Sequence, residues 1–132
     1  MTNLSNFRNC RVLPLFFALL LAGCGDDKKV IALATSRSPD GNWAVVANEV
    51  QYGGPGTAGV QIEVSMGPTH QSDERAMILL LNPDQKVPSG SNTILVNWKN
   101  SRSVIIRYPK GSSIDFQAIK AYGLDIFVSS EN

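Results

Sequence analysis

Short apolar segments alternate with proline- and glycine-containing turns along most of this chain, and that alternation restricts it to a sheet-rich fold. Residues 60–66 (Val-Gln-Ile-Glu-Val-Ser-Met) alternate apolar and polar side chains, which is the two-residue period of a strand with one buried face. Five other segments are rich in apolar, β-branched or aromatic residues and are predicted strands: 43–47, 77–81, 93–98, 104–108 and 124–128. Residues 30–34 predict a weaker first strand.

Three proline-containing turns separate these segments: Ser38-Pro39-Asp40-Gly41, Asn82-Pro83-Asp84-Gln85 and Tyr108-Pro109-Lys110-Gly111. Each places proline where a type I or type II turn requires its fixed φ. Residues 99–102 predict a short hairpin loop, and only residues 114–121 have apolar side chains at helical offsets, enough for one short helix. The pattern therefore predicts an all-β fold, mainly antiparallel, arranged as a small sandwich or partial barrel.

The N-terminal segment has a different character. Arg8 and Arg11 precede an apolar run at residues 12–22, whose length of about 11 residues fits an export signal and is too short to cross hydrocarbon. The run closes on Leu21-Ala22-Gly23-Cys24, which resembles the lipobox recognised by bacterial signal peptidase II. The alternatives are an uncleaved short anchor and an ordinary secretory signal.

Resemblance to bacterial lipoproteins implies cleavage before Cys24, a diacylglyceryl thioether on its sulfur, and usually an acyl group on its new amine. The chain then divides into a signal helix at residues 1–23, a lipidated tether at 24–29 and a single β-rich domain at 30–132. Several acyl chains on one residue attach a protein durably to a bilayer. We therefore expect a lipid-anchored protein outside the cytoplasm. Gly25 favours the outer membrane by the enteric sorting rule, and Asp26 and Asp27 leave the inner membrane open.

Charge and cysteine content limit the function of the domain. The chain has 12 basic and 11 acidic side chains, and loss of Arg8 and Arg11 with the signal leaves ten basic side chains, a formal charge of −1. Such a surface has no strong field to attract nucleic acid, so we expect no nucleic-acid partner. The only cysteines are Cys10 in the signal and Cys24 at the anchor, so the domain contains no disulfide.

The unit Ser-Pro-Asp-Gly followed by Asn-Trp-Ala-Val-Val, at residues 38–46, resembles a β-propeller repeat, but the 109 residues after the signal are too few for four blades. The order of motifs is more similar to a group of small bacterial lipoproteins. In that group the same hairpin precedes a glycine-rich loop (here 53–59), a strand (60–66) and an aromatic-bounded hairpin (98–108). This resemblance covers most of residues 38–128 and implies a fold without an activity.

Residues 54–59 (Gly-Pro-Gly-Thr-Ala-Gly) formally match the glycine pattern of dinucleotide-binding loops. That site requires a helix directly after the glycines, so that its N-terminus meets the pyrophosphate. A strand is predicted instead, which favours a flexible hairpin loop whose Gly54 and Gly56 are available to contact a partner.

One local basic patch is formed by Lys99, Arg102, Arg107 and Lys110, interleaved with Trp98 and Tyr108. No acidic residue occurs between positions 98 and 114. A functional interpretation is contact with anionic lipid headgroups or a cell-wall polymer. The alternative is that these charges protect an edge hairpin from unwanted strand pairing.

His70 is the only histidine and lies in a polar loop with Ser72 and Asp73, which is too little for a triad or a metal site. We therefore expect no metal, no cofactor and no catalysis. The sequence favours a lipid-anchored binding or envelope-associated accessory module that contacts an envelope protein or cell-wall component. The alternatives are a structural subunit of an envelope complex and a small hydrolase or metal enzyme that uses His70.

Overall fold

The computed structural model describes residues 28–53 and 59–131. The lipobox, Cys24 and the glycines Gly54 and Gly56 lie outside the described residues, as does the expected signal helix. The described part contains nine strands and no helix: β1 (Lys29–Arg37), β2 (Trp43–Tyr52), β3 (Gly59–Pro68), β4 (Ala76–Asn82), β5 (Leu95–Asn100), β6 (Ser103–Tyr108), β7 (Ser113–Gln117), β8 (Lys120–Ala121) and β9 (Leu124–Ser130).

The strands form two sheets, which confirms the all-β prediction. The first sheet has the order β1-β2-β3-β4-β7 and the second the order β5-β6-β9-β8. Every pairing is antiparallel except that of β6 with β9, which is parallel. β5 also lies close to β1, and β8 close to β4. The sheets therefore approach each other along both sides, as in a small sandwich that does not close into a barrel.

The core lies between the two sheets and follows the alternation seen in the sequence. Ile62, Val64 and Met66 of β3 are fully buried, whereas the residues between them are only partly buried. Val104 and Ile106 of β6 belong to the same apolar cluster. Side chains at alternate positions of a strand share one face, so a two-residue period delivers each of these residues to the interior.

The predicted turn at residues 38–41 is confirmed and sets the start of β2. The Gly41 amide donates to the Ser38 carbonyl at 2.9 Å, and Gly41 has a φ of 75°, a conformation that glycine adopts without steric cost. The Ser38 hydroxyl accepts a hydrogen bond from the Trp43 amide at 3.0 Å and donates to the Asp40 carboxylate. This hydrogen bond from Ser38 lowers the pKa of Asp40 below 3.8, with a further contribution from the Asn42 amide.

The possibility of a helix at residues 114–121 is wrong. This segment forms β7 and β8, with Phe116 of β7 paired to Leu80 of β4. The Ala118 amide then donates to the Ile78 carbonyl at 2.8 Å. Pairing with the edge of β4 satisfies backbone groups along the segment, and this tertiary interaction outweighs the weak helical spacing.

β1 is longer than the weak strand predicted at residues 30–34. It spans nine residues and pairs with β2 from Lys29 to Arg37, with a bulge at Leu33. The sequence signal is weak because the bulge interrupts the alternation of buried and exposed positions.

Candidate ligand-binding cleft

A cleft of about 660 Å³ lies at the end of the first sheet where β2 ends and β3 begins. It is lined by Tyr52, residues 59–61, residues 82–85, residues 87–89 and Asn92. Its volume is within the range of small-molecule sites, about 300–1,000 Å³. The loop between β4 and β5, residues 83–94, supplies more than half of the lining and passes across the end of the sheet.

The loop is held by a buried carboxylate. Glu49 occupies a core-facing position of β2, between Ile31 of β1 and Ile62 of β3, and its relative exposure is 0%. Its Oε1 accepts from the Gly90 amide at 2.9 Å and from the Ser89 hydroxyl. Its Oε2 accepts from the Gly90 amide at 3.0 Å and from Asn92 Nδ2 at 2.9 Å. Glu49 thus ties the loop to the sheet.

Glu49 forms no ion pair, because the single ion pair of the described residues joins Lys120 to Asp125. Burial by itself raises the pKa of Glu49, but the hydrogen bonds from Ser89, Asn92 and the Gly90 amide outweigh burial and bring it below 4.5. A carboxylate that accepts several hydrogen bonds is stabilised in its charged form. The loop therefore packs on the charged Glu49 carboxylate, which is stabilised by hydrogen bonds and not by a counter-ion among the described residues.

Tyr52 forms the opposite wall of the cleft. Its hydroxyl donates to Glu63 Oε1, and this hydrogen bond is the main reason that the pKa of Tyr52 is raised above 10.0. The Lys28 ammonium lies 5.2 Å from the centroid of the Tyr52 ring. A cation over an aromatic face at this distance is attracted by the ring quadrupole.

The Pro83-containing turn carries the only charged side chain of the lining, Asp84. Asp84 Oδ1 accepts from the Lys86 amide at 3.0 Å, and its main-chain carbonyl accepts from the Val87 amide at the same distance. At the foot of the turn, Asn82 Nδ2 donates to Asp115 of β7 at 2.7 Å. The turn is thus fixed from inside and from the neighbouring strand.

The structure places three members of the predicted basic patch on the hairpin of the second sheet, whereas Lys110 lies in the turn whose Gly111 packs against Asp84 of the cleft. Lys99 is on the edge strand β5 with its ammonium 4.9 Å from the Phe127 ring, and Arg107 is on β6. Arg102 lies in the turn between these strands and Lys110 in the turn after β6, at the two ends of the hairpin. Acidic residues lie beside the hairpin, because the Asp125 amide of β9 donates to the Arg102 carbonyl at 2.9 Å. The Glu131 amide, directly after β9, donates to the Tyr108 carbonyl at 2.9 Å.

His70 is exposed in the loop between β3 and β4 and does not line the cleft. The Ser72 hydroxyl donates to Asp73 at 3.2 Å, and no hydrogen bond joins either residue to His70 within the described part of the chain. Across residues 28–53 and 59–131, no group of three His, Cys, Asp or Glu side chains is placed to hold a metal ion.

Sequence reasoning missed Glu49 and its partners Ser89, Gly90 and Asn92. A signal was present, because Glu49 falls at the same alternate position as Val45 and Ala47, where a buried side chain is expected. The partners lie about 40 residues further along in a loop without periodic pattern. The burial of Glu49 could therefore be predicted from the sequence, but the identity of its hydrogen-bond donors could not.

No protein family, curated protein or solved structure matches this chain. No helix among the described residues has the length and hydrophobicity required to span a bilayer.

Proposed function

We propose that this chain is a lipid-anchored, extracytoplasmic binding module whose ligand site is the cleft between Tyr52 and the loop of residues 83–94. The single observation that carries the proposal is the fixation of this loop by buried Glu49. A site that is held in shape before its ligand arrives loses less conformational entropy on binding. The lipobox-like sequence ending in Cys24 supports the membrane attachment.

Binding is favoured over catalysis by the chemistry of the cleft. Its polar side chains are amides, a serine, a tyrosine and one carboxylate. The Ser89 hydroxyl donates to Glu49, a carboxylate whose pKa is lowered and which is therefore a weak base. Activation of a serine nucleophile requires a base with a pKa near the working pH. His70, the candidate base of the enzyme alternative, lies in a different loop.

One observation favours the second candidate, a structural subunit of an envelope complex. Ile119 is 75% exposed and Phe127 is 49% exposed, and both line a shallow groove of about 420 Å³ beside β9. Contiguous exposed apolar side chains often mark a protein interface. Two results would favour that candidate: crosslinking in cells that recovers one stoichiometric protein partner through this groove, and a cleft that retains no ligand.

The binding proposal is tested by ligand capture with a matched pair of variants. Gln85 is exposed and lines the cleft, so Gln85→Trp places a large ring in the cavity without disturbing the core. Gln71 is exposed in the His70 loop, and Gln71→Trp is the control. Full-length protein in non-ionic detergent is incubated with a small-molecule extract of the envelope, and retained compounds are identified by mass spectrometry. We expect wild type and Gln71→Trp to retain a compound that Gln85→Trp does not. Equal retention by all three proteins would contradict the proposal.

A further inference from the structure

Four polar side chains of the cleft donate hydrogen bonds to carboxylates of the protein, whereas the amides of Gln61 and Gln85 form no side-chain hydrogen bond among the described residues. The Tyr52 hydroxyl donates to Glu63, Asn82 Nδ2 to Asp115, and the Ser89 hydroxyl to Glu49. Asn92 Nδ2 also donates to Glu49, at 2.9 Å. In each case the acceptor of the hydrogen bond is a carboxylate of the protein. The amides of Asn82 and Asn92 therefore keep a separate acceptor oxygen, whereas the Ser89 hydroxyl already accepts from Gln51 Nε2.

Asn92 is the clearest example of a side chain whose donor is used and whose acceptor is free. The residue is only 6% exposed and lines the cleft, and its Oδ1 is buried without a hydrogen-bond partner among the described residues. The hydrogen bond from Nδ2 to Glu49 determines the orientation of the Asn92 amide, because a flipped amide would place Oδ1 against the Glu49 carboxylate. A buried acceptor without a partner costs about 1–3 kcal/mol, so a ligand that donates to it gains that free energy.

Charge in and around the cleft points to the same kind of ligand. Asp84 is the one charged side chain of the lining, and it forms no ion pair within the described residues. Two more carboxylates lie directly behind the wall, Glu49 behind Ser89 and Asn92 and Glu63 behind Tyr52. The cations on this side are Lys86 and Lys110, which are exposed, and Lys28, which is already placed over the Tyr52 ring. Lys110 belongs to the turn whose Gly111 lies against the Asp84 side chain.

We propose that the cleft binds a small organic cation, whose ammonium or guanidinium group donates to Asp84 and to Asn92 Oδ1. This proposal rests on the proposed function, since it names the ligand class of the same cleft. An ammonium group has donors and no acceptor, which matches the Asp84 carboxylate and the unpartnered Oδ1 of Asn92. The apolar walls, Val60, Pro83 and Val87, suit a short methylene chain next to the cation. The cavity volume favours a free small molecule over the side chain of a protein partner.

The test is a series of three four-carbon probes that differ only in their end groups: putrescine, 1,4-butanediol and succinate. Each is titrated into ¹⁵N-labelled full-length protein in non-ionic detergent, and amide shifts are followed by NMR. We expect putrescine to shift the amides of residues 82–92 with saturation, and the diol and succinate to bind at least about tenfold more weakly. A tenfold change corresponds to about 1.4 kcal/mol, the lower end of a hydrogen bond to a charged group.

Two matched variants connect the binding to the proposed groups. Asp84→Asn keeps an oxygen for the Lys86 amide and removes the charge, so the Kd for putrescine should rise at least about tenfold. Asp73→Asn removes an exposed carboxylate of the His70 loop and should leave the Kd unchanged. Thermal melting of both variants shows whether the fold is retained.

The outcomes separate this inference from the function on which it rests. Saturable shifts with the diol or with succinate and not with putrescine would overturn the cation proposal and leave the cleft as a ligand site. Putrescine shifts that persist in Asp84→Asn would also overturn it. If none of the probes shifts residues 82–92 and Gln85→Trp retains the same compounds as wild type, both proposals fail together.

Discussion

The indole ring of Trp43 lies against the phenol ring of Tyr122, with centroids 5.1 Å apart and ring planes inclined at 34°. Trp43 begins β2 of the first sheet, and Tyr122 lies in the turn between β8 and β9 of the second sheet. Tyr122 has a φ of 52°, the only positive φ at a non-glycine residue of the described chain, and its hydroxyl donates to the Glu74 carbonyl at 2.9 Å. The ring contact therefore joins the two sheets and holds a residue in a conformation that tyrosine rarely adopts.

We expect Trp43→Ala to lower the free energy of unfolding by about 2–4 kcal/mol. This is somewhat less than for a fully buried aromatic side chain, because the indole is only half-buried. A double-mutant cycle with Tyr122→Ala should give a coupling energy of about 0.5–1.5 kcal/mol. Urea denaturation measures both quantities. Trp98→Ala is the control, since Trp98 is also half-buried but forms no ring pair with Tyr122. A coupling energy near zero for Trp43 and Tyr122 would show that their contact is incidental.

Glu49→Gln should destabilise the protein by about 2–3 kcal/mol, because the new NH2 group would face amide and hydroxyl groups that donate hydrogen bonds to Glu49 in wild type. Chemical denaturation measures the effect, and NMR shifts should show the largest changes at residues 83–94. Glu74→Gln, at an exposed position, is expected within about 0.5 kcal/mol of wild type. Equal stability of the two variants would remove the structural role assigned to Glu49.

Acid should weaken the fold through the same carboxylate. The pKa of Glu49 in the folded protein lies below its ordinary value of 4.5. Its contribution to stability is therefore complete above pH 4.5 and is lost as the pH falls through the folded-state pKa. We expect the melting temperature of wild type to fall more steeply below pH 4.5 than that of Glu49→Gln. Parallel pH profiles of the two proteins would contradict this assignment.

Gly67→Ala should destabilise the protein by about 1–3 kcal/mol through overpacking. An added Cβ would lie 2.3 Å from the Glu74 carbonyl oxygen, which belongs to the backbone and cannot turn aside. Gly59→Ala, at the start of the same strand, is the control, because its added Cβ meets no atom of the described residues within 4 Å. We expect its stability to be at or slightly above that of wild type. Thermal melting compares them, and an unaffected Gly67→Ala would mean that the loop of residues 69–75 moves freely.

The proposed lipid anchor predicts that Cys24→Ser abolishes metabolic labelling by a fatty acid and leaves an unprocessed precursor. Cys10→Ser provides a matched control, because it removes the only other thiol of the chain and should leave labelling and processing intact. Gel mobility and mass spectrometry of the native protein measure both effects. Labelling that survives in Cys24→Ser would contradict the lipobox interpretation.

The strands that the sequence predicts well are those whose alternation is local. Residues 60–66 of β3 alternate without interruption, and the structure buries Ile62, Val64 and Met66, whereas Val60 is only partly buried. The turn at residues 38–41 is equally local, because Ser38 and Gly41 form its hydrogen bond themselves. Information contained within a few residues of chain was sufficient for these elements.

Features that depend on distant partners could not be predicted in the same way. β7 is a strand because β4 presents a free edge to it, and the parallel pairing of β6 with β9 depends on the path of residues 109–123. The cleft belongs to this group as well. Its loop is recognisable only once Glu49 and Asn92, 43 residues apart, are brought within hydrogen-bond distance.

The proposed lipid anchor sets a limit on how far the domain would stand from a bilayer, because β1 begins close to Cys24 in the sequence. Lys29 pairs with Gln51, next to Tyr52, so the chain enters the sheet at the same end as the cleft. Only five peptide units separate Lys29 from Cys24, and five extended residues reach at most about 18 Å. If Cys24 is acylated as proposed, the cleft would be confined to the thin layer of water above the headgroups. Solutes concentrated at the membrane surface would then be the ones that it encounters first.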